Sequence, residues 1–124
     1  MKSALLVFLG GGLGSVLRYQ LGKLLNNAVV TSIPYGTLTA NTLGSLLLGF
    51  LFGLALKYGN FSPAFTMFFA VGFCGGFTTF STFAYENQVF LRSGDYYNFL
   101  IYSLGSLFLG ITAVFLGLLL SRLT

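Results

Sequence analysis

Four long apolar stretches, separated by short polar links, constrain this chain more than any other feature. A bilayer core roughly 30 Å thick needs about 20 helical residues to cross it. Leu5 to Leu25 supplies one such span and Tyr35 or Gly36 to Leu56 a second; Ala64 to Leu91 is the third and Tyr96 to Leu120 the fourth. The links are Asn26 to Pro34, then Lys57, Gly59, Asn60 and Pro63, then Ser93-Gly94-Asp95. Links this short make consecutive spans antiparallel neighbours. Only 6% of the 124 residues are charged, against about a quarter in a soluble domain. The expected fold is therefore an all-α membrane protein, a single four-helix transmembrane domain over residues 1–124. The apolar run after Lys2 lacks a convincing small-residue cleavage site, so it is read as a retained first span rather than a leader.

Composition excludes several classes of function. The net charge is +4, but the cations are scattered and form no patch for nucleic acid. Lys2, Lys23, Lys57, Arg92 and Arg122 fall near the ends of apolar runs, where long cationic side chains reach the interface. The lone Cys74 forms no disulfide or metal framework, and histidine is absent. The sequence shows no catalytic constellation and no basis for covalent chemistry.

The third span is too long for its task. A straight helix of about 28 residues overshoots the hydrocarbon by roughly 10 Å. Its middle reads Gly75-Gly76-Phe77-Thr78-Thr79-Phe80-Ser81-Thr82-Phe83. Paired glycines are poor helix formers, and nearby hydroxyls can satisfy freed backbone groups. The pattern predicts a non-helical break near Gly75 to Thr79, dividing the span into two half-helices. Irregular backbone at membrane depth is tolerated only inside protein or beside a water-filled site, so the break is where function should be sought. Most of the 17 glycines read as packing positions: Gly10/Gly14, Gly49/Gly53 and Gly72/Gly76 have the GxxxG spacing that lets helices approach closely. The run Gly10-Gly11-Gly12-Leu13-Gly14 has no preceding strand, which argues against a phosphate loop.

Lys/Arg asymmetry normally orients a membrane protein. Here Lys2, Lys57 and Arg122 share one face of the membrane, against Arg18, Lys23 and Arg92 on the other. Either a short chain gives poor statistics, or it inserts both ways up and forms an antiparallel homodimer. One small protomer encloses little polar pathway, which favours the dimer.

Polar groups inside spans are costly and face a partner or a pathway. Arg18 is either an interfacial anchor or a cation at an aqueous vestibule. Thr37, Asn41 and Ser45 recur at intervals of four on the second span; the Asn41 amide offers uncharged N–H donors for an anion, or an interhelical hydrogen bond. Tyr102 and Ser106, one turn apart on the fourth span, offer hydroxyls to an ion or to a neighbouring helix. Phe80 and Phe83 share a helical face; they pack, or they present positive ring edges to an anion. Glu86 is the only acid that could lie within a span. Donors without carboxylates suit an anion better than a cation or proton coupling.

The segment Gly72-Phe73-Cys74-Gly75-Gly76-Phe77-Thr78-Thr79-Phe80-Ser81-Thr82-Phe83 resembles the signature of the Fluc (CrcB) family of fluoride channels. Gly10 to Tyr19 and Tyr35-Gly36-Thr37-Leu38-Thr39-Ala40-Asn41 are similar to that family's first span and the start of its second. The resemblance implies a dual-topology antiparallel homodimer in the cell inner membrane, with two pores and a structural sodium ion. It implies that backbone carbonyls of Gly75 and Thr78 from both chains hold the sodium at the dimer interface. Phe80, Phe83 and Asn41 correspond to pore residues and Arg18 to the vestibule arginine. Ser81 and Thr82 lie on the same stretch, and Tyr102 and Ser106 correspond to the polar track. The family's track can continue with a hydroxyl one turn beyond Ser106, where this chain has Gly110. The implied function is passive, fluoride-selective export conferring fluoride resistance. A proton-coupled multidrug exporter of similar architecture would need a glutamate in the first span, and Leu5 to Leu25 contains no acid. An accessory packing subunit would leave the Asn41 stripe and the interrupted span unexplained.

Overall fold

The computed structural model describes residues 1–28, 32–59 and 61–124. Its order is α1 (Lys2–Ala28), α2 (Tyr35–Tyr58), a compound third span, and α6 (Tyr96–Leu123). The third span comprises α3 (Pro63–Phe65), a π-helical stretch (Thr66–Cys74), α4 (Gly75–Phe77) and, after a break, α5 (Phe80–Ser93). Among the described residues, four segments are long and apolar enough to cross a membrane: Lys2–Asn26, Tyr35–Tyr58, Pro63–Ser93 and Tyr96–Leu123. They match the four expected spans, each extended by up to a turn at its ends.

The links use local chemistry. Ser62 caps α3, its Oγ accepting the Phe65 N–H at 3.2 Å, with Pro63 at the first helical position. Gly94 ends α5 at φ 75°, a left-handed conformation that glycine adopts without a steric penalty. Asp95 then caps α6 by accepting the Asn98 N–H at 3.2 Å. Asn26, expected in the first link, is still helical, and its Oδ1 accepts the Gly36 N–H at the start of α2 (3.0 Å). Residues 29–31 of that link, and Asn60 of the second, lie outside the described residues.

Two tight helix pairs make the body. In one, α1 lies against the first half of the third span. A Cβ added at Gly10 would strike the Phe68 carbonyl, and one at Gly76 the Gly11 carbonyl. In the other, α2 lies against α6, where a Cβ at Gly49 would strike Val114 and one at Gly117 the Leu46 carbonyl. Backbones this close gain dispersion contacts that lipid cannot match. Large apolar side chains such as Phe8, Phe52, Phe108 and Phe115 point outward, as expected where the surrounding medium is hydrocarbon.

The break falls at Thr78 and Thr79 alone, both extended (φ −89°, ψ 158° and φ −152°, ψ 121°). This corrects the expected position at its N-terminal side. Gly75 is helical (φ −63°, ψ −37°) and Gly76 lies within α4. Gly76 serves close approach to α1; the threonines, not the glycines, leave the helix.

Candidate functional site at the broken third span

Every backbone group freed at Thr79 finds the same side chain. The Thr79 N–H, which a continuous helix would give to the Gly75 carbonyl, goes to Asn41 Oδ1 at 2.7 Å. In return Asn41 Nδ2 donates to the Thr79 carbonyl at 3.0 Å. Asn41 is thus a splint across the break, with one N–H left over among the described residues. Beyond it, Thr79 Oγ1 caps α5 by accepting the Thr82 N–H (3.2 Å) and lies 3.1 Å from Thr82 Oγ1 and 3.3 Å from Ser81 Oγ. Before it, Thr78 turns both its N–H and its hydroxyl to the Cys74 carbonyl (3.0 and 2.8 Å).

Two cavities meet at Thr79. One, about 360 Å³, is lined by Asn41, Ser45, Gly75, Thr78, Thr79 and Phe80 among others. The second, about 450 Å³, is bordered by Arg18, Lys23, Thr37, Thr79, Thr82 and Glu86. Phe80 stands at the first with its side chain 79% exposed. Its ring centroid is 5.9 Å from that of Phe83, which in turn lies 5.2 Å from the Tyr102 ring. Arg18 is brought to the second cavity, its Nε buried without a hydrogen-bond partner among the described residues.

Glu86, to which no role was assigned from the sequence, joins three spans. Oε1 accepts the Thr37 hydroxyl at 2.7 Å and Oε2 the Tyr102 hydroxyl at 2.6 Å. The Thr37–Asn41–Ser45 stripe therefore divides its work: Thr37 holds Glu86, Asn41 splints the break and Ser45 faces the cavity. The available signal was the spacing of Phe83, Glu86 and Phe90 on one helical face. Tyr102, 2% exposed, already spends its hydroxyl on Glu86. Ser106, one turn on, is half-buried, and its Oγ, itself out of reach of solvent, is unpartnered among the described residues. At Gly110 an added Cβ would lie 3.8 Å from Ser45 Oγ, so a hydroxyl from α2 stands beside the place where α6 itself has none.

No cluster of three or more His, Cys, Asp or Glu able to hold a metal occurs among the described residues. Backbone oxygens are available instead. The Gly75 carbonyl loses its Thr79 donor to Asn41, and the Thr78 carbonyl loses the Thr82 N–H to the Thr79 cap. Both residues border the smaller cavity. Carbonyl oxygens without protein donors suit a hard cation, but two from one chain are too few to enclose it.

Residues 5–118 match the family described as CrcB-like protein, Camphor Resistance (CrcB). A protein of Gloeothece citriformis named fluoride-specific ion channel FluC is 45% identical over 122 residues, 98% of each chain. Relatives of the same name from Leptospira interrogans and Thermus thermophilus are each 47% identical. The first alignment covers 94% of this chain and 91% of the relative, the second 94% and 93%. With its four apolar spans and interrupted third helix, this chain belongs to the CrcB family.

Proposed function

We propose that the protein is a passive, fluoride-selective channel that lets cytoplasmic fluoride leave the cell. The observation that carries this reading is the interrupted span whose Thr79 borders two largely apolar cavities, each furnished with a few polar side chains; kinship with fluoride-specific channels supplies the ion. Arg18, with Lys23 beside it, attracts the anion into the larger cavity. The hydroxyls of Thr82 and Ser81 and the spare Asn41 N–H receive it at the break. There the ring edges of Phe80 and Phe83, positive at their rims, take the place of water. Tyr102, Ser106 and Ser45 continue the donor path; an anion reaching Tyr102 must compete with Glu86 for its hydroxyl. Selectivity over chloride follows from narrowness and from donors close enough to replace a tightly held hydration shell.

The working unit in this reading is an antiparallel homodimer in the inner membrane with two pores. A sodium ion sits between the protomers, held by the Gly75 and Thr78 carbonyls of both. The outward-facing Phe80 and the insufficient oxygen count of one chain support that assembly. Fluoride and chloride efflux from liposomes containing only this protein, with valinomycin carrying potassium, tests the function. Fast fluoride loss without chloride loss or any proton gradient is expected; retention of fluoride by well-folded protein would overturn the reading.

A further inference from the structure

The stripe of α5 turned toward α6 carries Phe83, Glu86, Asn87 and Phe90. Phe83 packs on Tyr102, Glu86 binds its hydroxyl, and Phe90 meets its ring edge-on at 6.0 Å. Asn87 is the member whose role is not explained by the ion path. It is 7% exposed and lines neither cavity. Its Nδ2 donates to the Phe83 carbonyl at 3.0 Å, and its Oδ1 accepts the Ser103 hydroxyl at 2.7 Å. A buried amide between membrane helices is costly unless both ends are satisfied. Here one end is tied to the backbone of Phe83 and the other to the residue following Tyr102. The connections close a ring: Phe83 backbone, Asn87, Ser103, Tyr102, and back to the Phe83 side chain.

We propose that Asn87 and Ser103 form a positioning pair. It fixes the rotation of α5 against α6, and with it the gap between the Phe83 ring and the Tyr102 hydroxyl that fluoride must traverse. The inference rests on the reading of Phe83 and Tyr102 as pore residues. Both members of the pair act without touching the ion. Side chains on one helix move together when it turns about its axis, so a slack Asn87 would shift the Phe83 ring edge and widen or close the constriction. Glu86 also bonds across the seam, to the Tyr102 hydroxyl, while its other oxygen is held by Thr37 of α2; Asn87 and Ser103 tie α5 to α6 alone.

Efflux per assembled channel tests this, measured for wild type, Ser103→Ala, Ser103→Thr and Phe83→Ala, with thermal stability followed alongside. Ser103→Ala strands the Asn87 carbonyl oxygen and is expected to change fluoride flux per assembled channel by about tenfold or to admit chloride. Ser103→Thr keeps the hydroxyl and should restore selective flux to near wild type. If Ser103→Ala fails to fold, Ser103→Cys, similar in shape with a feeble donor, answers the same question. A purely structural bond would lower stability and leave the conduction of assembled channels unchanged; that result, beside an impaired Phe83→Ala, overturns the positioning pair alone. Wild-type flux in Phe83→Ala withdraws both the pair and the pore reading beneath it.

Discussion

Asn41 shows how a single amide serves two demands at once. The sequence marked it as a donor in a polar stripe with two open uses, an anion or another helix. The fold assigns its oxygen and one N–H to Thr79 and leaves one N–H over. Replacing it by aspartate keeps the acceptor for the Thr79 N–H but sets a carboxylate against the Thr79 carbonyl and the passing anion. Asn41→Asp should therefore abolish fluoride efflux while gel filtration still shows assembled protein. Asn41→Leu loses both bonds and strands two backbone groups, so a stability loss of about 1–3 kcal/mol is expected in denaturation assays. Tyr102→Phe leaves Glu86 with Thr37 alone; slower fluoride efflux and a melting temperature lowered by a few degrees are expected. What the sequence concealed here was pairing. Thr37 read as part of a stripe on the second span, Tyr102 as a neighbour of Ser106 on the fourth and Glu86 as an isolated acid, because nothing along the chain states which faces of three helices will meet.

Among the elements, the four spans were legible from apolar run length, and the break from the excess length and composition of the third. The break lies within the expected Gly75 to Thr79 interval but begins only at Thr78, for a physical reason. Glycine at Gly75 and Gly76 suggests a loose backbone, yet Gly76 is small because α1 lies on it, and the helix continues through both. The π-helical turns of Thr66–Cys74 left no readable trace, since nothing in that aromatic run distinguishes one helical hydrogen-bond register from another. The two glycines give opposite expectations. Gly76→Ala should destabilise the protomer by about 1–3 kcal/mol, because its Cβ meets backbone that cannot yield. Nothing lies within 4 Å of a Cβ at Gly75, so Gly75→Leu should leave the protomer folded but prevent dimer formation, as read by crosslinking in membranes.

At the scale of the whole molecule, the antiparallel dimer proposed above has consequences for charge and for shape. Three cations lie toward each end of the bundle, and Phe80 faces outward at the smaller cavity. Reporters fused to the C-terminus should be found on both sides of the membrane in comparable amounts. Adding two lysines to one end should force a single orientation and extinguish fluoride efflux, which restoring an oppositely biased copy should revive. The splinted break carries a further consequence, for the order in which the protein is made. Extended backbone at Thr79 is intolerable in lipid without a companion, and that companion belongs to a segment that leaves the ribosome earlier. The second span must already stand in the bilayer beside the third before the latter can bend. The order of the spans along the chain suits the break, because its companion is made before the segment that needs it.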